Sequence, residues 1–111
     1  MKLHQENKKI LNGVNFAANQ TSESDFIGDS LAVSLQFIWS GAVGAGGDLI
    51  VEGSIDNATF VPVEIQTIAG ETSGAFLVNI ERAGYSYIRA RWVYTAGVGG
   101  LLTVWQSSKR M

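Results

Sequence analysis

The sequence of 111 residues contains no cysteine, one proline and a single histidine, His4. Without cysteine, the chain forms neither a disulfide nor a thiolate metal site. A lone histidine excludes a histidine-rich zinc site, and a Ser-His-Asp triad would depend on a residue in the charged first segment. Four glutamates (Glu52, Glu64, Glu71 and Glu81) are scattered without a pattern that indicates a catalytic pair. We therefore predict no catalytic residues, no cofactor and no enzymatic activity.

Charge is also scarce. Charged residues make up 16% of the chain, whereas about 25% is typical of soluble domains. The net charge of −2 argues against broad electrostatic binding to nucleic acid or to an anionic membrane. A surface with few charges favours a homo-oligomer or docking onto a larger body. The alternative is a β-rich domain whose outer face carries serine, threonine and asparagine.

Long apolar runs and targeting signals are missing as well. No apolar run approaches the roughly 20 residues that a transmembrane helix requires. The first ten residues are polar and charged, so we predict no signal peptide and synthesis in the cytoplasm. The turn signal Asn12-Gly13 precedes strand-like sequence from Val14 onward. We therefore predict an N-terminal arm at residues 1–13 and one domain at residues 14–111.

Glycine, in contrast, is frequent, with 13 residues, and much of it belongs to a phrase that occurs twice. Residues 39–54 read WSGAVGAGGDLIVEGS, and residues 94–107 read YTAGVGGLLTVWQS. Glycine supplies the positive φ values that tight turns need, and neither segment matches a nucleotide-binding pattern. The repeat predicts two near-identical hairpins in a sandwich with pseudo-symmetric halves.

Alternating hydrophobicity is the main secondary-structure signal. In residues 31–40, every second side chain is large and apolar, which is typical of a half-buried strand. Pro62 cannot donate to a sheet, so the strand around it is predicted at an edge. The predicted strands are residues 31–40, 48–54, 60–65, 74–80, 85–95 and 101–107. About seven or eight short strands and no convincing helix indicate an all-β antiparallel sandwich or jelly roll.

The repeat also predicts which side chains face outward. Aligning Gly47 with Gly100 matches Leu49 to Leu102 and directs Leu101 and Trp105 out of the core. With Ile38 and Ile50, these apolar side chains would form an outer patch that marks a subunit contact, unless loops or the arm cover it.

A second outward set lies on residues 85–95, where Tyr85 and Tyr87 share a face with Arg89 and Arg91. These side chains can stack as cation–π pairs or contact a partner or a sugar, and we favour a structural or interface role. The predicted interface residues are Ile38, Ile50, Leu101, Trp105, Tyr87, Arg89 and Arg91.

Asp48 and Asp56 flank the predicted strand at residues 48–54, and they could bind calcium together with loop carbonyls. The spacing of Asp48 and Asp56 does not match an EF-hand loop. Asp56 lies in the sequence Ser54-Ile55-Asp56-Asn57, where aspartate and asparagine commonly bond their own backbone. We therefore predict a turn, and no metal site.

Residues 16–108 resemble small β-sandwich proteins encoded in the structural gene clusters of tailed bacteriophages. The segments that carry the resemblance are FAANQTS (16–22), VSLQFIWSG (33–41), LIVEGSIDN (49–57), GYSYIRARW (84–92) and GGLLTV (99–104). Related proteins usually carry tryptophan where Phe60 stands. The resemblance implies a virion protein, such as a capsid decoration or cement protein, often a trimer, with itself and other phage proteins as partners.

Two alternatives stay open. One is a phage tail or fibre accessory module. The other is a carbohydrate-binding sandwich, in which residues 41–47 and 96–100 would lie near each other at one tip. Those tips lack aromatic and charged side chains.

Overall fold

A computed structural model describes residues 4–81 and 84–110 of the chain. Within them it has nine β-strands and no helix. The strands are β1 (His4–Asn15), β2 (Gln20–Thr21), β3 (Asp25–Phe26), β4 (Ala32–Ser40), β5 (Val43–Ser54), β6 (Val61–Ala69), β7 (Gly74–Glu81), β8 (Tyr87–Val98) and β9 (Leu101–Arg110).

The strands form two antiparallel sheets. The first sheet has the order β1-β9-β4-β7, and the second has the order β2-β8-β5-β6, with β3 also paired to β8. The predicted all-β antiparallel sandwich is confirmed. The additional strands β2 and β3 contain two residues each, which is too short for a period of two to appear in the sequence. The proline-containing strand β6 lies at a sheet edge, as predicted.

Alternating side chains fill the space between the sheets. Leu35 and Phe37 from β4 face Leu49 and Val51 from β5, and all four are fully buried. In β8, the inward side chains are Ile88, Ala90 and Trp92, and in β9 they are Leu102 and Val104. The predicted inner faces of these strands are therefore confirmed.

Trp92 anchors the centre of this core. Its ring stacks on Phe16 with 4.3 Å between centroids, and its indole Nε1 donates a hydrogen bond to the Phe16 carbonyl at 2.9 Å. A buried indole N–H usually finds such an acceptor. Phe16 follows β1 directly, so this contact holds the segment after β1 against the core.

The doubled glycine-rich phrase does not form hairpins. Its first copy leads from β4 in the first sheet to β5 in the second, and its second copy leads from β8 in the second sheet to β9 in the first. Both copies cross between the sheets, and the prediction of two hairpins is wrong. The positive φ values are present, for example 75° at Gly41 and 97° at Gly100. They serve inter-sheet crossings because such crossings bend the chain as sharply as a hairpin does.

The two crossings nevertheless lie side by side. The strand that enters the first crossing, β4, pairs with the strand that leaves the second, β9. In the same way, β5 leaves the first crossing and pairs with β8, which enters the second. Val43 pairs with Val98 at the glycine-rich end. This arrangement agrees with the predicted pseudo-symmetry, although the repeated unit is a crossing.

Residues 4–13, most of the predicted arm, belong to β1 and pair with β9 from His4–Arg110 onward. The register shifts between Leu11 and Val14, where Gly13 adopts a φ of 59°. Lys8 of β1 forms an ion pair of 2.8 Å with Asp25 of β3, which ties the strand to the second sheet. Residues 4–13 are therefore part of the sandwich and not a separate arm. Residues 1–3 lie outside the described residues.

Candidate interaction surfaces

The seven predicted interface residues lie on two opposite faces of the sandwich. Ile38, Leu101 and Trp105 point outward from the first sheet, whereas Ile50 points outward from the second. Ile50 is only 7% exposed. The expected single patch of four apolar side chains is therefore wrong, because Ile38 and Ile50 lie on either side of a crossing between sheets.

The outer surface of the first sheet is called here the tryptophan face, and it comprises Lys9, Gln36, Ile38, Leu77, Leu101 and Trp105. Trp105 lies opposite Lys9 on one side and Gln36 on the other. Leu101 is 57% exposed, Leu77 58% and Ile38 38%. Ile38 and Leu101 form an apolar half toward the glycine-rich end, and polar side chains surround Trp105 at the other end.

The outer surface of the second sheet is called here the arginine face, and it comprises Glu52, Phe60, Ile65, Tyr87, Arg89 and Arg91. Glu52 of β5 lies directly opposite Arg89 of β8. Its side chain is only 4% exposed, whereas those of Arg89 and Arg91 are 28% and 46% exposed. A buried carboxylate of this kind is stable only when cationic partners hold it.

The contacts of Glu52 meet that requirement. Its Oε1 accepts a hydrogen bond from Arg89 Nε at 2.7 Å, and its Oε2 lies 3.5 Å from Arg91 Nη1. One carboxylate is thus shared between two guanidinium groups, which leaves one net positive charge in the cluster. The Arg91 side chain remains about half exposed to solvent.

Aromatic side chains also lie on this face. The Arg89 guanidinium lies 4.0 Å from the Phe60 ring centroid, which is a cation–π contact. Tyr87 packs edge-on against Phe26 with 5.5 Å between centroids. The predicted partner Tyr85 does not share this face, because it precedes β8 and its ring lies against Gly53 beside the core. Burial is the main cause that raises the pKa of the Tyr85 hydroxyl, and the negative charge of Glu64 adds to it.

The predicted interface set lacked six members of these two faces: Lys9, Gln36, Leu77, Glu52, Phe60 and Ile65. Glu52 shares the outward side of β5 with Ile50, and this alternation is visible in the sequence. Its pairing with Arg89 depends on the register between β5 and β8, which are separated by two other strands along the chain. Leu77 is likewise placed beside Gln36 only by the pairing of β7 with β4.

The glycine-rich tip brings residues 41–47 and 96–100 together, as their pairing in β5 and β8 shows. The segments contain glycine, alanine and valine only. They offer backbone groups and small apolar surfaces. No side chain there can donate or accept a hydrogen bond.

The two aspartates considered for calcium are engaged in local contacts. Asp56 Oδ1 accepts hydrogen bonds from the amides of Thr59 and Ala58 and from the Ser54 hydroxyl. These bonds, led by the Thr59 amide, lower the pKa of Asp56 from 3.8 to about 2. Asp48 accepts a bond of 2.8 Å from the Thr67 hydroxyl. Asp56 therefore stabilises a turn, as predicted.

Residues 4–81 and 84–110 contain no cluster of three or more His, Cys, Asp or Glu side chains that could hold a metal ion. Over the same residues, no helix has the length and apolar character needed to cross a membrane.

The chain matches no protein-family description and no curated protein, but solved structures share its fold. The SPBc2 prophage-derived protein YomS has a TM-score of 0.66 at 9% identity, over 98% of this chain and 96% of YomS. The PBSX exported protein XepA has a TM-score of 0.62 at 14% identity, over 93% of this chain. The infectious bursal disease virus VP2 subviral particle has a TM-score of 0.64 at 11% identity, over 98% of this chain.

The extent of these matches differs. This chain covers 36% of XepA and 33% of VP2, so in those proteins the fold is one part of a longer chain. In YomS it accounts for nearly the whole protein. At identities of 9% to 14%, the likeness establishes a shared sandwich fold.

Proposed function

We propose that this chain is a non-enzymatic structural protein of a bacteriophage particle, where it acts as a homo-oligomeric decoration protein of the capsid. The observation that carries the proposal is the likeness to YomS, a prophage-derived protein that consists almost entirely of this fold. The sequence resemblance to proteins of tailed-phage structural gene clusters points the same way. A tail or fibre accessory module is the alternative.

The strand order supports a jelly roll. If β2 and β3 are counted as one position beside β8, each sheet contains four positions. Numbered along the chain, these positions have the orders 1-8-3-6 and 2-7-4-5, which is the double Greek key of a jelly roll. Viral capsid domains use this architecture, which buries the faces of both sheets in one core.

The arginine face is the surface that we propose for the self-contact. Protein interfaces are enriched in aromatic residues and arginine and depleted in lysine. Tyr87, Phe60 and the two arginines give this face that composition, and Ile65 adds an apolar side chain that is 53% exposed. The partner would not have to neutralise Glu52, because Arg89 and Arg91 already do so.

Two acidic side chains, Glu52 and Asp56, are held in place by local contacts, which fits a non-enzymatic role. Glu52 is held between two arginines, and Asp56 accepts three hydrogen bonds in a turn. The charge of Glu52 is already neutralised by its partners, and the Asp56 bonds serve a turn, so the contacts of both side chains are structural.

The first experiment measures the oligomeric state by sedimentation equilibrium. We expect a trimer that Ile65→Glu dissociates, because the substitution places a charge on the contact. Val98→Glu is the control, since Val98 is 72% exposed at the glycine-rich tip and should leave the trimer intact. A wild-type monomer at high concentration would contradict the self-contact.

The second experiment locates the protein. Particles purified from the strain that encodes the chain are analysed by mass spectrometry and labelled with gold-conjugated antibody. Label distributed over the capsid supports decoration, and label confined to the tail supports the accessory module. Absence of the protein from the particles would contradict a virion role.

A further inference from the structure

We propose that the polar half of the tryptophan face is a binding site for neutral carbohydrate. This function goes beyond the structural role proposed above and uses the opposite face of the sandwich. The site is a shallow depression of about 290 Å³ around Trp105, to which β1, β4, β7 and β9 all contribute side chains. Its volume lies just below the range of about 300–1,000 Å³ for small-molecule sites, which suits one or two sugar rings.

Trp105 supplies the apolar platform. Its side chain remains 37% exposed, although a large aromatic surface in water is unfavourable. Lys9 Nζ lies 5.0 Å from the ring centroid, and this cation–π contact helps to hold the indole in place. The C–H groups of a pyranose carry partial positive charge from their neighbouring oxygens, so they pack favourably on the negative face of an aromatic ring.

Carboxamide and hydroxyl groups surround this platform. Gln5, Asn7 and Gln36 contribute carboxamides, and Ser34 and Ser107 contribute hydroxyls. Each of these groups both donates and accepts hydrogen bonds. A pair of adjacent sugar hydroxyls also donates and accepts, so a single carboxamide can bind both at once.

Bonds among the polar groups hold several of them in position before a ligand arrives. Gln5 Nε2 donates to Ser107 Oγ at 3.1 Å and approaches Asn7 Oδ1 at 3.4 Å. Ser34 Oγ donates to Asn79 Oδ1 at 2.6 Å. Because these side chains stand on paired strands, their spacing is fixed by the sheet, which reduces the entropy lost on binding.

The lining selects for a neutral ligand. Apart from Lys9, whose Nζ already engages the Trp105 ring at 5.0 Å, the side chains that line the depression are uncharged, so an anionic group would gain no charge-assisted bond from them. The arginine face offers such bonds but carries buried salt bridges in place of carboxamides. The glycine-rich tip offers no polar side chain at all. The sheet surface around Trp105 is therefore the better sugar site.

The test uses the full-length protein on a glycan array that contains neutral and anionic glycans. The neutral probes include maltohexaose, cellohexaose, laminarihexaose and chitohexaose. Binding is then followed by two-dimensional NMR titration with the sugar that gives the strongest signal. We expect binding to at least one neutral glycan, with shifts centred on Trp105 and Gln36. Binding to no glycan, or to anionic glycans alone, would overturn the proposal.

Matched variants localise the site. We expect Trp105→Ala to weaken binding at least about tenfold, equivalent to about 1.4 kcal/mol, and Trp105→Phe to restore part of it. Gln36→Ala should weaken binding without changing the thermal midpoint. Ile38→Ala, on the same face but outside the depression, and Val98→Ala, at the glycine-rich tip, are the controls. Unchanged affinity in both Trp105→Ala and Gln36→Ala would overturn the assignment, whatever the oligomeric state.

Discussion

Removal of the Glu52 carboxylate tests the central feature of the arginine face. In Glu52→Gln the shape is retained, but the charge shared by Arg89 and Arg91 is lost. A hydrogen bond between charged groups contributes about 1.5–3 kcal/mol, and the 2.7 Å bond from Arg89 belongs to this class. A neutral amide oxygen still accepts a bond of roughly half that strength.

The contact with Arg91 adds little to this estimate. It is longer, at 3.5 Å, and the Arg91 side chain is 46% exposed, so it resembles a surface ion pair worth about 0–1 kcal/mol. We therefore expect Glu52→Gln to lower the free energy of unfolding by about 1–2 kcal/mol and Arg91→Ala by less than about 1 kcal/mol. Glu52→Ala, which also removes the acceptor, should cost about 2–4 kcal/mol.

The assay is urea unfolding followed by tryptophan fluorescence, at one fixed protein concentration because oligomers gain stability with concentration. Glu64→Gln is the control, since it makes the same charge change at an exposed position of β6 and should stay within about 0.5 kcal/mol of wild type. A double-mutant cycle of Glu52 and Arg89 should give a coupling energy above about 1 kcal/mol. A Glu52→Gln cost below about 0.5 kcal/mol, together with negligible coupling, would refute the reasoning.

Three further predictions concern the core and the turns. Trp92→Ala should cost about 3–5 kcal/mol, because it removes a fully buried ring that stacks on Phe16; urea unfolding that shows a loss below about 1 kcal/mol would contradict this core. Gly47→Ala should be far more destabilising in the same assay than Gly44→Ala: both glycines have a positive φ, but a Cβ at Gly47 would also collide with the Val93 carbonyl oxygen, whereas the space at Gly44 is open. The Asp56 carboxylate should stabilise the fold fully above pH 3.8 and lose this effect as the pH falls through about 2, because its pKa is lower in the folded chain than in the unfolded chain. Thermal midpoints of wild type and Asp56→Asn should therefore converge over this range, and a constant difference would contradict the role of the carboxylate.

Much of the local structure could be predicted from the sequence. Alternation along residues 31–40 identified β4 and its buried side, including Phe37. The same period directed Trp92 inward and Arg89 outward in β8. Pro62 marked β6 as an edge strand. These predictions succeeded because side-chain direction in a strand depends on residue parity, which is a local property.

The candidate surfaces were harder to predict. The alternation correctly predicted that Ile38 and Ile50 point away from the core, yet they lie on opposite faces of the sandwich. Parity gives the side of a strand but does not tell which sheet the strand joins. Burial on the outer side is also non-local, since Glu52 is covered by arginines from another strand and by the Phe60 that stacks on one of them.

The sequence by itself determined that this protein is an all-β chain with a defined inner face and glycine-rich bends at two equivalent positions. Only the tertiary structure decided that those bends cross between sheets, and that Trp105 and Arg89 therefore lie on opposite outer faces of the sandwich. The physical reason is that glycine permits a positive φ in a hairpin and in a crossing alike. The choice between them depends on which strands pair, and those partners, such as β4 with β9 and β5 with β8, lie far apart in the sequence.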